Sequence, residues 1–119
     1  MTRHVRGRQG EKLAAQYLTG EGYTVVERNF RSKRGEVDVI AVKGDQLVFA
    51  EVKSWNALHA RDLEYSVDRR KRRRITETSR FFLLKHPEYA GHRLRFDLLF
   101  ISHGQGKPLH IKNAFDGVG

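Results

Sequence analysis

The alternation of apolar and polar positions along this chain predicts two helices and five strands. The helices are expected over residues 9–18 and 67–85, where apolar side chains recur at helical spacing before Gly20 or Gly22 and before Pro87. The strands are expected over residues 23–28, 35–41, 47–53, 95–102 and 109–114. An order of helix, three strands, helix and strand predicts an α/β fold with a mixed sheet flanked by helices.

The segments between these elements are predicted to be connections. Residues 1–8 are basic and are expected to form a mobile arm before a single domain over residues 9–119. Residues 29–34 and 103–107 are expected to be exposed loops, and residues 56–64 an irregular crossing or lid.

The turn between the second and third strands sets the register of the predicted hairpin. Gly44 and Asp45 have the composition of a two-residue loop, and counting back from it places Asp38 opposite Glu51. Because side chains alternate between the two faces of a strand, the charged residues of both strands share one face. They are Glu36, Asp38, Glu51 and Lys53. Val37 and the apolar residues that alternate with this set are expected on the other face.

Charges in these two strands point to a bound cation. Both strands are otherwise apolar, and burying an unpaired carboxylate costs several kcal/mol. Opposed Cβ atoms lie about 4.5–5.5 Å apart, which suits a shared divalent ion. Carboxylates favour Mg²⁺ or Mn²⁺, and the chain has no cysteine for a structural zinc site. The alternative is a salt-bridge ladder pairing Glu36 with Lys53, in which the opposed Asp38 and Glu51 would repel each other.

Asp38, followed on the next strand by Glu51-Val52-Lys53, resembles the PD-(D/E)xK nuclease motif of the restriction-endonuclease-like superfamily. Over nearly its whole length the chain is similar to the YraN-type family. The matching segments are Gly10-Glu11, Gly35-Glu36-Val37-Asp38, Phe49-Ala50-Glu51-Val52-Lys53, Lys71-Arg72-Arg73-Arg74-Ile75, Arg95-Phe96-Asp97 and Asn113-Ala114-Phe115. Val37 stands where the motif's name has proline, as in many superfamily members.

The resemblance implies a restriction-endonuclease-like three-layer fold with an α-β-β-β-α-β core, and metal-dependent hydrolysis of phosphodiester bonds. The residues it implies as ligands of Mg²⁺ or Mn²⁺ are Asp38, Glu51 and, through its carbonyl oxygen, Val52. Lys53 would orient or activate the attacking water, and Glu36 or Glu11 would lie in an outer shell or at a second ion. Similarity to junction resolvases of the same superfamily, which act as dimers, makes branched DNA a candidate substrate and a homodimer a candidate assembly.

Glu11 is predicted to point inward on the first helix. It shares a face with Ala14, Ala15 and Leu18, and an inward acid needs a partner. The alternative is an acid that favours the helix dipole from the first turn. The Gly10-Glu11 match favours the site.

Lys71 falls on the sheet-facing stripe of the second long helix, where its side chain could reach a scissile phosphate or Glu51. The alternative is a snorkelling lysine within a basic run. The surrounding arginines are predicted to follow a phosphate backbone and to give affinity without sequence specificity. They are Arg69, Arg70, Arg72, Arg73 and Arg74.

The net charge of +9 and the pI near 10.3 favour a polyanionic partner, nucleic acid and most simply DNA. With no long apolar run and no signal peptide, a cytoplasmic protein without a membrane partner is expected. The favoured function is a Mg²⁺-dependent nuclease, an endonuclease acting in repair or recombination. The alternative is a nucleic-acid-binding module or accessory protein that keeps the nuclease fold with little or no catalysis.

Other polar residues are assigned to structure. Asp97 is expected to be a buried salt-bridge acid, paired with Arg95 or a helix arginine. Trp55 and Tyr65 are expected to pack at the core or rim. The six histidines are expected at the surface or in loops: His4, His59, His86, His92, His103 and His110.

Overall fold

The computed structural model describes residues 3–54, 68–101 and 107–116. Within them the chain forms two α-helices, a short 3₁₀ helix and five strands. The α-helices are α1 (Arg3–Gly20) and α2 (Arg69–Lys85), and the 3₁₀ helix spans Pro87–Tyr89. The strands are β1 (Thr24–Arg31), β2 (Glu36–Lys43), β3 (Gln46–Ser54), β4 (Arg93–Ile101) and β5 (Leu109–Phe115).

The five strands form one mixed sheet in the order β1-β2-β3-β4-β5. Neighbouring strands are antiparallel except for β3 and β4, which are parallel and lie on either side of α2 in the sequence. A parallel pair needs a long crossover, which here includes α2. The sheet with a helix packed on each face confirms the predicted fold class, a three-layer α/β arrangement consistent with a restriction-endonuclease-like core.

Each face of the sheet has its own apolar core, because β2 and β3 carry buried side chains on both sides. Ala14 and Leu18 of α1 pack with Val39 and Val48 on one face. On the other face lie buried side chains of α2 and of four strands, β2 to β5, including Ile75, Phe82, Phe49, Phe96 and Phe100. Both central strands are therefore shielded from water, and any charge in them needs compensation.

The hairpin turn has the predicted two-residue form, with Lys43 opposite Gln46 and Gly44 at a φ of +60°. The predicted face of Val37 is wrong. Val37 belongs to the α2-side core together with Ile40. The paired ladder between β2 and β3 begins only at Val39, so the first residues of β2 follow β1 instead of β3.

Several predicted boundaries shift. The backbone of α1 is already helical from Arg3, so residues 3–8, predicted as a mobile arm, continue the helix. β1 runs to Arg31, which corrects the loop predicted over residues 29–34 and leaves a turn over residues 32–35. Asn29 keeps its place in β1 with a φ of +54°, a conformation that asparagine adopts more easily than most residues.

The second helix ends as predicted before Pro87, and Asp68 caps its first turn by accepting a hydrogen bond from the Lys71 backbone N–H at 2.9 Å. Several predictions fall on residues outside the described ranges. They concern the crossing over residues 56–64, the loop over residues 103–107, and Trp55, His59, Tyr65, Val67 and His103. Neither described helix combines the length and the apolar character that crossing a membrane requires.

Asp97 confirms its predicted structural role. Its fully buried carboxylate accepts hydrogen bonds from Arg95 at 2.8 Å and from the Asn113 backbone N–H at 2.9 Å, and it contacts His110 at 2.6 Å. Burial alone would raise the pKa of Asp97, but the bonds to His110 and Arg95 outweigh burial and hold it below its usual range. The surface position predicted for His110 is wrong, because its side chain is only 5% exposed and also meets the Tyr17 hydroxyl.

Candidate functional site

The hairpin opens at the end away from its turn, and Asp38 occupies the opening. The β2–β3 ladder stops at Val39 and Ala50, so the predicted pairs of Asp38 with Glu51 and of Glu36 with Lys53 are not part of it. The carboxylate of Asp38 instead accepts a hydrogen bond from the Val52 backbone N–H at 2.8 Å. The Asp38 carboxylate thus takes the place of a β2 carbonyl as the acceptor for the Val52 N–H, at the end of the hairpin where the ladder stops.

Asp38 belongs to a cluster of three carboxylates. One oxygen from each of Glu11, Glu36 and Asp38 lies within 4.8 Å of the others, although Glu11 is on α1 and the other two are on β2. Glu36 also pairs with the exposed Arg31, Nε to Oε2, at 3.5 Å. The predicted inward orientation of Glu11 is confirmed. Its Oε2 atom is buried and has no hydrogen-bond partner among the described residues.

The cluster holds more negative charge than its surroundings neutralise. Burial, followed by the nearby charge of Glu51, raises the pKa of Asp38 from 3.8 to about 8. Burial also raises the pKa of Glu11, helped by the charge of Glu36 and opposed by a hydrogen bond from the Asn29 side chain. Raised carboxylate pKa values are typical of sites where a proton or a bound cation compensates the negative charge.

Glu51 lies beside this cluster and is bound by two lysines. Its side chain is only 7% exposed, and its Oε1 atom is 2.7 Å from Nζ of Lys71 and 3.5 Å from Nζ of Lys53. Lys71 therefore reaches Glu51 as predicted and does not simply extend into solvent. The predicted ligand Glu51 is thus separate from the three clustered carboxylates.

The pKa values of the two lysines shift in opposite directions. Burial, together with a hydrogen bond to Lys71, lowers the pKa of Lys53. Burial also disfavours charge on Lys71, but the charge of Glu51 and its hydrogen bond outweigh burial, so the pKa of Lys71 is raised. Lys71 therefore holds its proton more tightly than Lys53 does.

Four of these groups, Glu36, Asp38, Glu51 and Lys71, line a cavity of about 490 Å³ between the sheet and the start of α2. Its lining combines acidic and basic side chains with a small backbone contribution: Gly35, Glu36, Asp38, Glu51, Asp68, Arg70, Lys71, Arg74 and Ile75. Gly35 approaches α2 closely, since a Cβ atom there would lie 3.1 Å from Cβ of Arg74.

The predicted basic residues separate into different environments. Arg70 and Arg74 line the cavity, whereas Arg69 and Arg73 are exposed and do not line it. Arg72 is half-buried on another side of α2, with its guanidinium carbon 5.4 Å from the centre of the Phe115 ring. It therefore contributes to packing of α2 against β5.

Two contributors are not predicted from the sequence. Asn29 falls in the loop predicted over residues 29–34, but its side chain hydrogen-bonds Glu11. Asp68 has no predicted role, although it caps α2 and lines the cavity. An acid directly before a long basic helix is a recognisable cap signal, whereas the contact of Asn29 arises only from the packing of α1 on β1.

Comparison with known proteins identifies the family. The family described as "Uncharacterised protein family UPF0102" matches residues 10–101. A UPF0102 protein of Persephonella marina is 41% identical over 112 residues, covering 94% of each chain. Another, from Alcanivorax borkumensis, is 42% identical and covers 92% of this chain and 90% of the relative. A third, from Desulfosudis oleivorans, is 39% identical with coverage of 92% and 89%. The chain therefore belongs to the UPF0102 family.

Proposed function

We propose that this protein is a divalent-metal-dependent nuclease of the PD-(D/E)xK superfamily that hydrolyses phosphodiester bonds of nucleic acid, with DNA as its substrate. The observation that carries the proposal is a single cavity whose lining includes Asp38, Glu51 and Lys71 together with two arginines. Lys53 adjoins this lining through its contact with Glu51. The Asp38 and Glu51-x-Lys53 spacing is that of the superfamily motif.

The residues present fit a hard divalent cation. The cluster of Glu11, Glu36 and Asp38 offers only oxygen ligands, and Glu11 retains a buried oxygen with no hydrogen-bond partner among the described residues. We propose that Asp38 and Glu51, with the Val52 carbonyl, hold Mg²⁺ or Mn²⁺, and that Glu11 and Glu36 support this ion or a second one. Bound there, the ion would polarise the phosphoryl oxygen and lower the pKa of a water ligand.

The protein's own groups would position the reactants. Arg70 and Arg74 line the cavity as permanent cations that can hold a backbone phosphate, and Lys71 stays charged beside Glu51. Lys53 contacts the same Glu51 oxygen as Lys71, and the lowered pKa of Lys53 favours a role in orienting or accepting a proton of the attacking water. This arrangement would hold the water, the phosphate and the cationic groups in position relative to one another before the bond is cleaved.

The partner and cellular setting extend the same proposal. The net charge of +9 suits DNA, and branched DNA would match an enzyme that works as a homodimer. A role in repair or recombination in the cytoplasm follows from that substrate. These assignments are proposals that rest on the nuclease activity.

The test is cleavage of labelled single-stranded, duplex, flapped and four-way-junction DNA with Mg²⁺, Mn²⁺ or EDTA. We expect metal-dependent cutting by the wild type, and a loss of about 10²-fold or more in Asp38→Asn and Lys53→Met. Asp45→Asn and Lys85→Met are matched controls, since both residues are exposed and lie outside the cavity lining. Cutting that persists in EDTA or in both site variants would refute the proposal.

A specific observation favours a second function, a nucleic-acid-binding module without catalysis. Lys71 and Lys53 already neutralise Glu51 without a metal ion. If this pairing is permanent, the wild type will bind DNA tightly and cut none of the substrates, and Asp38→Asn will bind equally well. Calorimetric titration with Mn²⁺ separates the two functions, since only the nuclease requires metal binding that Asp38→Asn abolishes.

A further inference from the structure

A second basic cavity adjoins the carboxylate cavity and shares a wall with it. It has a volume of about 460 Å³ and is lined by Lys33, Arg34, Arg70, Arg73, Arg74 and Glu77. Arg70 and Arg74 line both cavities. The two cavities are therefore neighbours along α2, one beside Glu36 and Asp38 of β2 and the other beside the β1–β2 turn.

The charge of this second cavity is almost entirely positive. Five cationic side chains face a single acid, Glu77, whose Oε2 atom lies 3.6 Å from Nε of Arg34. Across the described parts of the chain, Lys33, Arg70, Arg73 and Arg74 make no ion pair with an acid, and all four are exposed. Repulsion among such closely placed cations favours an anionic ligand with several charges.

The β1–β2 turn that supplies Lys33 and Arg34 is held against α2. The Ser32 hydroxyl hydrogen-bonds the Thr78 hydroxyl of α2 at 2.9 Å and accepts a bond from the Arg34 backbone N–H at 3.1 Å. Within the turn, the Ser32 N–H donates to the Gly35 carbonyl at 2.9 Å. The two cationic side chains thus extend from a fixed backbone beside the arginines of α2.

We propose that Lys33, Arg34 and Arg73 form a backbone-phosphate subsite for nucleic acid. It takes the phosphates next to the one at the carboxylate cavity, and Arg70 and Arg74 join the two positions. This inference rests on the proposed function only in taking nucleic acid as the ligand. The β1–β2 turn thereby acts as a second anchor for the bound strand, together with the basic helix.

The test is DNA binding measured by fluorescence anisotropy in EDTA, which needs no cleavage. A fluorescein-labelled duplex is titrated with wild type, with Lys33→Ala/Arg34→Ala, and with the control Lys85→Ala/Arg93→Ala. Each double variant loses one exposed lysine and one exposed arginine, but Lys85 and Arg93 line neither cavity. Thermal unfolding midpoints check that both variants fold as the wild type does.

We expect Lys33→Ala/Arg34→Ala to weaken binding about 5- to 20-fold near physiological salt and to lower the slope of log K against log salt by about 1–2. The control should stay within about 2-fold of wild type. Equal losses in both variants, unchanged binding in the turn variant, or a wild type that binds no nucleic acid would each overturn the subsite. Tight wild-type binding with no cleavage in Mg²⁺ would instead refute the nuclease while leaving the subsite intact.

Discussion

The Nζ atom of Lys71 lies 2.7 Å from Oε1 of Glu51, across the boundary between a helix and the sheet. Glu51 is 7% exposed, so this ion pair compensates a carboxylate that water barely reaches. The same pair links the start of α2 to the end of β3, where the candidate site opens. Lys71 thus contributes to stability as well as to the charge of the site.

Lys71→Met should destabilise the metal-free protein, because it keeps most of the apolar stem and removes the cation beside Glu51. Breaking a buried pair costs about 3–5 kcal/mol, but Lys71 is 36% exposed and Lys53 remains. We therefore expect a loss of about 1–3 kcal/mol in urea unfolding with EDTA. Lys71→Arg, which retains the charge, should lose less. Equal stability of Lys71→Met and wild type would show that the pair contributes nothing.

Asp38→Asn should stabilise the metal-free protein increasingly as pH rises from about 4 to about 8. Folding raises the pKa of Asp38 from 3.8 to about 8, so its favourable contribution is complete below pH 4 and is lost as pH approaches 8. Asparagine can still accept the Val52 hydrogen bond without carrying the charge. The difference between the two proteins should grow by up to about 1.4 kcal/mol per pH unit in that window.

Urea unfolding in EDTA at pH 5, 6, 7 and 8 measures this difference, with Asp45→Asn as the control for an exposed acid. A constant difference between Asp38→Asn and wild type would contradict the raised pKa. Adding Mn²⁺ at pH 8 should stabilise the wild type and not Asp38→Asn, since a bound cation and the carboxylate charge compensate each other.

Two substitutions at Asn29 should separate backbone conformation from side-chain bonding. Asn29 has a φ of +54° and hydrogen-bonds Glu11. Asn29→Ala should destabilise the protein by about 1–2 kcal/mol, because alanine tolerates this conformation poorly, whereas Asn29→Gly should be nearly neutral. Thermal or urea unfolding measures the difference.

Both Asn29 variants should also bind Mn²⁺ about 10-fold more weakly, since each loses the bond that orients Glu11. Calorimetric titration measures this affinity independently of cleavage. Wild-type affinity in the folded Asn29→Gly variant would show that Glu11 needs no orientation by Asn29 or does not act at the metal.

Asp97→Asn should cost about 3–5 kcal/mol of folding free energy without a specific effect on metal affinity. The substitution leaves Arg95 without its buried carboxylate partner, far from the carboxylate cluster in the sequence and outside the cavity lining. Because folding lowers the pKa of Asp97, its stabilisation is present above about pH 4 and is lost as pH falls through the folded value. Unfolding measured for both proteins at pH 3–7 should therefore show a loss in Asp97→Asn that is largest above about pH 4 and decreases as the pH falls below it.

Much of the fold follows from local patterns in the sequence. The alternating apolar residues and the Gly44-Asp45 turn predicted the hairpin and its first paired residues, and Pro87 predicted where α2 ends. The inward orientation of the Glu11 and Lys71 side chains was also predicted, because residues three or four positions apart lie on the same face of a helix.

The errors arise where distant segments meet. A hairpin register counted from the turn could not reveal that the Asp38 carboxylate would bind the Val52 N–H and end the ladder. The contact of Asn29 with Glu11 depends on the packing of α1 against the sheet. The contacts of His110 depend on the pairing of β5 with β4 and on the packing of α1 over that face. Spacing within a strand or helix carries no information about such contacts. The sequence therefore predicted which residues form the site better than it predicted which residues they contact.

The close approach of Gly35 to Arg74 fixes the separation between the acidic strand ends and the cationic helix. A Cβ atom added at position 35 would lie only 3.1 Å from Cβ of Arg74. The backbone of the turn is therefore packed closely against α2. A substrate strand would therefore enter a space of set width and would immobilise few backbone torsions on binding. In the proposed complex, the entropy lost on association would then fall mainly on the exposed side chains of Lys33, Arg70, Arg73 and Arg74.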